Sequence, residues 1–375
     1  MTPANGLPPT PPVRRARLVA FHLPQFHPIP ENDAWWGTGF TEWTNVARAR
    51  PQFAGHYQPH LPADLGFYDL RLPETRAAQA ELAQAYGLEG FCYYHYWFAG
   101  RRLLERPVDD LLARGEPDFP FCLCWANESW SRRWLGETRD ILIAQTYSPE
   151  DDLAHIRWLM RAFADPRYIR VGGRPVFLVY RPADLPNPQR TTDLWRGECV
   201  REGLPEPYLL ATNAHCSEKD CRQWGFDATL AFKPELGVLP RFLDDGPRWD
   251  KLRRNLKLGV LSATLKVYDY GRAQRAMMAL RRPHPMTPCV LVRWDNTPRR
   301  GRQAIILARS NPMVFEAVLR GAIEAVEHQP ADERLVMVNA WNEWAEGNHL
   351  EPDLLYGHQF LEAVRRANHA PLSVP

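Results

Sequence analysis

Short apolar runs alternate along the chain with longer stretches of mixed polarity. Within the runs most positions are apolar, whereas the longer stretches place apolar residues at helical spacing. Continuously apolar strands are typical of a parallel sheet that is covered on both faces, and helices usually connect such strands. Eight runs are present, at 17–23, 89–97, 120–127, 175–181, 208–213, 227–232, 289–294 and 334–341.

The stretches between the runs carry helix-end signals. The stretches 73–87 and 149–165 begin with Pro73 and Pro149, which suit a first helical turn, and Gly87 suits a C-terminal cap. Eight strands with helices between them predict an α/β fold, a (β/α)8 TIM barrel. A doubly wound open sheet is the alternative. The sequence has no GxGxxG after the first run and no GxxxxGK[ST], so it offers no nucleotide-phosphate loop.

The segment 241–286 interrupts this alternation before the seventh run. It carries eleven Lys or Arg against four Asp, and we expect no strand in it before Cys289. We interpret it as an elaborated helical connection or a lid with a basic face; a solvated helical insert is the alternative. The chain then divides into a disordered Pro-rich tail at 1–16, one catalytic domain at 17–368 and a short C-terminal tail at 369–375.

Composition and charge restrict the class of protein. The net charge of +2 gives no global field that would attract nucleic acid. Seven cysteines, an odd number without framework spacing, indicate reduced thiols and a reducing compartment. The N-terminus has no apolar signal region, and no run reaches the ~18 to 20 apolar residues that cross a bilayer. We therefore expect a soluble cytoplasmic protein that does not bind nucleic acid.

Aromatic and polar side chains recur where five of the runs end. The carboxyl ends of the strands form the active-site face of a (β/α)8 barrel, so these groups should meet in one cleft. Sugar rings stack on aromatic faces, and their hydroxyls bond to carboxylates, amides and guanidinium groups, so the cleft predicts an oligosaccharide or polysaccharide substrate. The ends read FHLPQFH followed by WWGTGFTEW, then YYHYWF, WANESWSRRW, RWDNTPRR and WNEWAEG.

The last of these ends carries two carboxylates, Glu343 and Glu346, beside Trp341 and Trp344. Glycosidic-bond cleavage uses two carboxylates, one as acid and one as base or nucleophile. Paired glutamates near a strand end are otherwise solvated or cap the next helix. The flanking aromatic residues favour the catalytic interpretation, with Glu343 and Glu346 as the catalytic pair.

Candidate substrate-binding residues come from the same strand ends, and Glu42 is the candidate for a third acidic group. Alternation along the second strand implies that only some of its polar and aromatic residues face the cleft. No motif predicts a metal or a cofactor, since the HCSEKDC segment lacks a second pair of ligands. The candidates are His22, Gln25, Trp36, Glu42, Trp43, Tyr94, His95, Trp97, Trp125, Asn127, Glu128, Trp130, Arg133, Asp295, Arg299, Trp341, Asn342 and Trp344.

Arginines after the seventh run offer a further interpretation. Arg299, Arg300 and Arg302, together with the segment 241–286, could bind the diphosphate of a lipid-linked or nucleotide-linked sugar. Peripheral contact of this basic segment with inner-membrane lipid is an equal alternative. A plain turn would account for Asp295 and Arg299 without any ligand.

The sequence resembles the WbsX-type proteins from about Leu18 to about Glu362. These bacterial proteins are called glycosyltransferases, are also described as glycoside hydrolase family 99-like, and are usually encoded among genes for O-antigen, capsule or other surface polysaccharides. The resemblance rests on LPQFHPIPENDAWWGTGFTEWTNV, GFCYYHYWF, FPFCLCWANESWSRRW, RYIRVGGRPVFLVYRP, WDNTPRR and AWNEWAEGNHLEPD.

Family 99 endo-α-mannosidases are (β/α)8 barrels that cleave α-mannosidic bonds with retention through a Glu-x-x-Glu pair. The resemblance implies that Glu343 deprotonates the sugar 2-hydroxyl, so that a 1,2-anhydro sugar forms, while Glu346 protonates the leaving oxygen and later activates water. Direct nucleophilic attack is the alternative role for Glu343.

Three functions stay open at this point. The first is a retaining hydrolase or transglycosylase acting on a surface-polysaccharide intermediate. The second is a glycosyltransferase with a nucleotide- or lipid-linked donor, and the third is a non-catalytic glycan-binding domain. The Glu-x-x-Glu pair favours the first, because binding alone would not need two carboxylates.

Overall fold

The computed structural model describes residues 14–131, 141–214, 219–237, 239 and 265–369. One parallel sheet dominates it, and each of its eight strands falls within one predicted apolar run or extends it by a single residue. The strands are β1 (Arg17–His22), β2 (Gly90–Phe98), β3 (Phe121–Trp125), β4 (Arg174–Val179), β5 (Tyr208–Thr212), β6 (Ala228–Leu230), β7 (Cys289–Leu291) and β8 (Leu335–Asn339).

The strands close into a barrel. Their order is β6-β5-β4-β3-β2-β1-β8-β7, and all of these neighbours are parallel. A parallel bridge between Leu230 and Thr287 joins β6 to the residues before β7. Thr287 donates its backbone N–H to Thr229 at 2.8 Å and accepts from Ala231 at 2.9 Å. The predicted (β/α)8 TIM barrel is therefore confirmed.

The described helices surround the sheet or connect it to the site. Pro lies in the first turn of most of them, where its missing N–H costs no hydrogen bond. Ser148, Asn187 and Asn311 accept backbone N–H groups as N-caps of three of the longer helices. They are α1 (Pro30–Trp36), α2 (Glu42–Arg48), α3 (Pro73–Ala85), α4 (Arg106–Arg114), α5 (Pro149–Phe163), α6 (Pro188–Arg201), α7 (Tyr270–Met278), α8 (Thr297–Arg300), α9 (Pro312–Glu324) and α10 (Gln359–Asn368).

Short strands and 3-10 turns are present in addition to the eight barrel strands. Three two-stranded pairs lie outside the barrel sheet: Trp130–Ser131 with Ile141–Ile143, Lys266–Asp269 with Ile305–Ala308, and Asn342–Glu343 with Asn348–His349. Arg101–Leu103 pairs with β2, and Arg170–Val171 pairs with β4. The 3-10 turns are Pro182–Asp184, Cys221–Trp224, Gly301–Gln303 and Trp344–Glu346.

The segment 241–286 differs in part from expectation. Lys266–Asp269 is a strand paired in parallel with Ile305–Ala308, so the expectation of no strand before Cys289 is wrong. Val267 and Ile306 are register partners in this pair and both are buried, which gives two short strands a reason to form outside the barrel. Residues 241–264 lie outside the described part of the chain, and the predicted lid and its contact with lipid stay predictions.

The barrel core extends between the sheet and the helix layer. Trp195 of α6 packs edge-on against Phe177 of β4 and near Trp125 of β3, and all three are fully buried. Burying a side chain such as Phe177 stabilises the fold by roughly 1.5–3 kcal/mol. The two ends of the described chain meet, since Arg14 and His369 form an antiparallel bridge. No described helix has the length and apolar character needed to cross a membrane.

Candidate active site

A cavity of about 730 Å³ opens at the carboxyl end of the barrel. Every barrel strand contributes to its wall, through a residue at the end of the strand or in the loop that follows. We call it the central cavity. Its lining residues are Leu23, Tyr94, Tyr96, Ala126, Glu128, Ser129, Trp130, Tyr180, Asn213, Ala214, Phe232, Pro234, Glu235, Leu236, Gly237, Leu280, Arg281, Arg282, Pro283, Trp294, Arg299, Asn339, Glu343 and Glu346.

Arg299 of α8 gathers three carboxylates at this cavity. Its Nη1 lies 2.7 Å from Glu346 Oε1, and its Nη2 lies 3.1 Å from Glu343 Oε2. Glu42, the first residue of α2, completes the group, with its Oε2 3.1 Å from Arg299 Nη2. We call Glu42, Arg299, Glu343 and Glu346 the acidic cluster. It joins the ends of β7, β8 and β1, so the structure brings together residues that lie about 300 positions apart.

Three carboxylates share one guanidinium in a buried place. Burial raises the pKa of Glu343 to about 8, and repulsion from Glu346 and Glu42 acts in the same direction against the attraction of Arg299. Burial likewise raises the pKa of Glu42. The Arg299 pKa rises although burial opposes it, because the carboxylates favour its charged form. Arg299 therefore stays charged, and Glu343 holds a proton at neutral pH.

A buried hydrogen-bond network fixes the loop that carries the pair. Trp344 stacks on His349 with ring centroids 3.7 Å apart, and its indole N–H donates to Glu351 at 2.6 Å. Tyr68 O–H and the Gln79 amide also donate to Glu351, at 2.9 and 2.7 Å. Burial raises the pKa of Glu351 to about 7. Trp344 thus acts as a packing anchor next to Glu343.

Gly347 and Asp295 join the loop after β8 to the loop after β7. Gly347 has φ +57°, and a Cβ there would lie 3.0 Å from the Asp295 Cβ, so only glycine fits without displacement. The Asp295 backbone N–H donates to the Glu346 carbonyl at 2.7 Å. The Asp295 carboxylate accepts from His56 and from Gln58, both at 2.7 Å. Asp295 does not line the central cavity; it holds the Glu346 loop in place.

Aromatic rings form much of the remaining wall. Tyr94 and Trp130 were candidates from the sequence, and both line the cavity. Tyr96, Tyr180 and Trp294 line it as well, although they were not among the candidates. A signal for them was present, because Tyr180 directly follows β4, Trp294 lies three residues after β7, and Tyr96 lies two residues beyond Tyr94 on the same face of β2.

Other candidates face the helix layer. Within β2, His95 and Trp97 point away from the cavity, and their rings stack at centroid distances of 5.2 and 4.7 Å on His155 of α5. His22 lies 3.2 Å from the Gln79 amide of α3. Alternation explains the outcome, since neighbours of an inward residue on a strand must point outward.

Five further candidates are packing or loop-fixing residues. Trp125 is fully buried against the helix layer, and Trp341 is buried with its ring 5.0 Å from Phe91. Trp43 donates its indole N–H to the Tyr68 carbonyl at 2.8 Å. The amide groups of Asn342 and Asn127 pair with the backbone of Leu23 and of Arg181 respectively. None of these five lines the central cavity.

A small side pocket of about 40 Å³ adjoins the acidic cluster. Gln25, Trp36 and Glu42 line it, and Trp130 and Arg299 lie between it and the central cavity. Glu128 lines the central cavity and is paired with Arg181 at 2.6 Å. Arg133, the remaining candidate, lies outside the described residues.

His60, His349 and Asp353 are the described residues whose donor atoms cluster closely enough for a metal. Arg293 already occupies this cluster, with Nη1 2.6 Å from Asp353 Oδ2 and Nη2 2.9 Å from His349 Nε2. Burial, with Arg293 nearby, lowers the pKa of His60 to about 4. A fixed guanidinium at this place repels a second cation, so these residues do not fit a metal site.

Comparison with known proteins gives a family match and structural neighbours. The family described as Glycosyltransferase WbsX matches residues 18–364. The protein WxcX of Xanthomonas campestris pv. campestris, in two strains, is 45% identical in an alignment of 364 residues that covers 94% of this chain and 49% of WxcX. The chain thus spans about half the length of the curated relatives it matches.

Solved structures share the fold at low sequence identity. A glycoside hydrolase-like protein superposes with a TM-score of 0.58 at 14% identity, covering 98% of both chains. The GH99 endo-α-mannosidase from Bacteroides thetaiotaomicron, in complex with bis-tris propane, gives a TM-score of 0.55 at 15% identity, covering 94% of this chain and 95% of that one. At such identities the likeness establishes the barrel architecture.

Proposed function

Because this chain belongs to the Glycosyltransferase WbsX family, we propose that it is a carbohydrate-active enzyme that breaks a glycosidic bond of a surface-polysaccharide intermediate. The catalytic pair is Glu343 and Glu346, and the reaction is a retaining hydrolysis or transglycosylation. The proposal rests on the acidic cluster. Both carboxylates contact the Arg299 guanidinium at the wall of a cavity large enough for an oligosaccharide.

Exposure distinguishes the two carboxylates. The Glu346 side chain is 22% exposed and that of Glu343 is 9% exposed. A group that protonates a leaving oxygen and then activates water needs access to solvent, which suits Glu346 as acid/base. Glu343 lies deeper and would act on the sugar itself, at the 2-hydroxyl or at the anomeric carbon.

The proton must change place for these roles to hold. The raised pKa puts a proton on Glu343, whereas the mechanism needs an ionised Glu343 and a protonated Glu346. A sugar 2-hydroxyl that donates to Glu343, together with Arg299, favours ionised Glu343. Substrate binding would then transfer the proton from Glu343 to Glu346. Exchanged roles, with Glu343 as the acid, are the alternative.

The wall supports a saccharide as the ligand. Tyr94, Tyr96, Trp130 and Trp294 present aromatic surface, and Glu128 adds a carboxylate. Such a mixture of apolar surface with a few placed polar groups is typical of specific ligand sites. The structural neighbours of the GH99 type are endo-α-mannosidases, so α-mannosides are the first substrates to test.

A glycosyltransferase is the second candidate function. The family description and two cavity-lining arginines, Arg281 and Arg282, favour it, because an activated donor carries phosphate. The two functions differ in their co-substrate. A hydrolase or transglycosylase acts on the glycan alone, whereas a transferase of this kind needs the activated donor.

Product analysis separates these functions. Wild-type protein and Glu343→Gln are incubated with α-mannan fragments and with lipid-linked surface-glycan intermediates, with and without nucleotide sugars. We expect shortened or rearranged glycans without any nucleotide sugar in the wild type and none in the variant. Chain extension that appears only after a nucleotide sugar is added would replace the hydrolase proposal with the transferase.

A further inference from the structure

A second charged group adjoins the central cavity, with Glu235, Arg281 and Arg282 in the cavity wall and Lys233 buried behind it. Lys233 Nζ lies 2.7 Å from Glu235 Oε1, and Arg282 binds the same carboxylate oxygen through its Nη2. Arg281, the neighbour of Arg282, lines the cavity too. We call Lys233, Glu235, Arg281 and Arg282 the basic cluster. It comes from the loop after β6 and the residues that follow α7, and no described ion pair joins it to the acidic cluster.

The basic cluster has an excess of positive charge. Lys233 and Arg282 pair with Glu235, and Arg281 lies beside Arg282, so the three cations and one carboxylate of the cluster sum to a formal charge of +2. Arg282 and Lys233 hold the Glu235 carboxylate in its ionised form, since they lower its pKa although burial opposes them. Burial lowers the pKa of Lys233, with Glu235 opposing. The Arg281 side chain is exposed and has no ion-pair partner in the described ranges, so its guanidinium is available to a ligand.

The charge count indicates which ligand fits. A phosphate ester carries roughly −1.5 to −2 at pH 7, which matches the excess of +2, whereas a sugar carboxylate supplies only −1. Guanidinium groups bind phosphate through paired, charge-assisted hydrogen bonds. Part of the ligand must also reach the acidic cluster, where a second anion would be repelled, so the phosphate and the reacting sugar have separate places along the cavity.

We propose that the basic cluster binds a phosphate group of the substrate, so that the central cavity takes a phosphorylated saccharide with its sugar toward the acidic cluster. For the sugar half the inference rests on the function proposed above; the phosphate half rests on the basic cluster alone. A saccharide diphosphate attached to a lipid carrier and one attached to a nucleoside share this chemistry. Arg299, by contrast, is engaged by three carboxylates and does not serve the diphosphate role that its sequence position had allowed.

Calorimetric titration with inorganic pyrophosphate tests the phosphate half. Arg281→Gln removes one exposed charge without breaking a described ion pair, so the fold should persist. We expect pyrophosphate to bind this variant about tenfold or more weakly than wild type. Arg275→Gln is the matched control, because Arg275 is exposed on α7 and does not line the cavity, and it should bind like wild type. Equal binding by all three proteins, or an equal loss in both variants, overturns the proposal.

Two further titrations identify the carrier and keep the proposals apart. Short-chain isoprenyl diphosphate and uridine diphosphate are compared; tighter binding of either one, lost in Arg281→Gln, supports the proposal and assigns the source. Glu343→Gln should bind pyrophosphate at least as tightly as wild type, because it cannot add negative charge. Pyrophosphate binding that depends on Arg281 in a protein without glycan-cleaving activity would leave this inference standing and remove the proposed function. The reverse result would remove only this inference.

Discussion

Nη1 of Arg299 lies 2.7 Å from Oε1 of Glu346. This contact joins the loop after β7 to the loop after β8, and the same guanidinium also holds Glu343 and Glu42. The cation thereby neutralises part of a charge that would otherwise force the three carboxylates apart. The fixed arginine is what allows two carboxylates to lie close together beside one cavity.

Removing the arginine should destabilise the protein in a pH-dependent way. Arg299→Gln leaves three carboxylates without their cation, and we expect a loss of about 3–5 kcal/mol in the free energy of unfolding at pH 8. Without the arginine the folded-state pKa values of Glu343 and Glu42 rise further above their unfolded values. The protonated carboxyl groups then stabilise the folded state fully below the unfolded pKa, and this stabilisation is lost as pH rises. The destabilisation caused by Arg299→Gln should therefore be smaller at pH 5 than at pH 8. Urea denaturation of wild type and variant at both pH values measures this difference in the free energy of unfolding.

Arg300→Gln is the matched control for this experiment. Arg300 is the next residue of α8 and is exposed, so its removal should change stability by less than about 0.5 kcal/mol at either pH. A loss in Arg299→Gln that is the same at pH 5 and pH 8 would contradict the role assigned to the carboxylates.

The buried proton of Glu343 predicts a pH profile for the wild type. Its folded-state pKa of about 8 lies above the unfolded value, so its contribution to stability is fully present below about pH 4.5 and is lost as pH rises through about 8. Glu343→Gln imitates the protonated form and should lose less stability than wild type between these limits. Glu324→Gln, at an exposed position of α9, should keep the wild-type profile. Parallel profiles for all three proteins would refute the buried proton on Glu343.

Gly347 provides a test of the loop geometry. Gly347→Ala meets both a left-handed backbone and the Asp295 Cβ at 3.0 Å, so we expect a loss of roughly 1–3 kcal/mol in stability together with impaired activity. Gly115→Ala is the control, since Gly115 has φ +72° with open space around its Cβ position and lies far along the chain from the site. Equal effects of the two substitutions on activity would show that the contact with Asp295 does not position Glu346.

Two tryptophans from one strand end should behave differently. Trp125 is fully buried, so Trp125→Ala should cost about 3–5 kcal/mol in the free energy of unfolding. Trp130 is half-buried and lines both the central cavity and the side pocket, so Trp130→Ala should raise KM several-fold with a much smaller loss of stability. Thermal denaturation and steady-state kinetics separate the two effects. A raised KM in a fully stable Trp125→Ala protein would reverse this assignment.

The sequence predicts the barrel well because both faces of its strands are buried. Each apolar run has little choice except a strand, and helices with Pro at their first turn separate most of the runs. It is harder to predict which side chains of a strand point into the barrel. The polar and apolar residues of β2 do not alternate strictly, so its sequence does not indicate whether Tyr94 or His95 faces the cavity.

Local signals explain which parts of the site the sequence reveals. Glu343 and Glu346 stand out because two carboxylates directly follow a buried strand, and Glu42 and Arg299 occupy other strand ends. Their gathering around one guanidinium depends on barrel closure, which no local pattern specifies. Lys233 and Glu235 have no such signal: they lie beside a proline in an ordinary loop, and only the fold brings them to Arg281 and Arg282.

The most direct test of the account is the rate of glycan cleavage by Glu346→Gln. Glutamine keeps the size of the side chain and its contact with Arg299 but cannot exchange a proton. We predict that the rate constant falls at least about 100-fold, the typical contribution of a general acid–base group, while the glycan still binds. Glu324→Gln should retain the wild-type rate. Wild-type turnover in Glu346→Gln would contradict the claim that Glu343 and Glu346 form the catalytic pair.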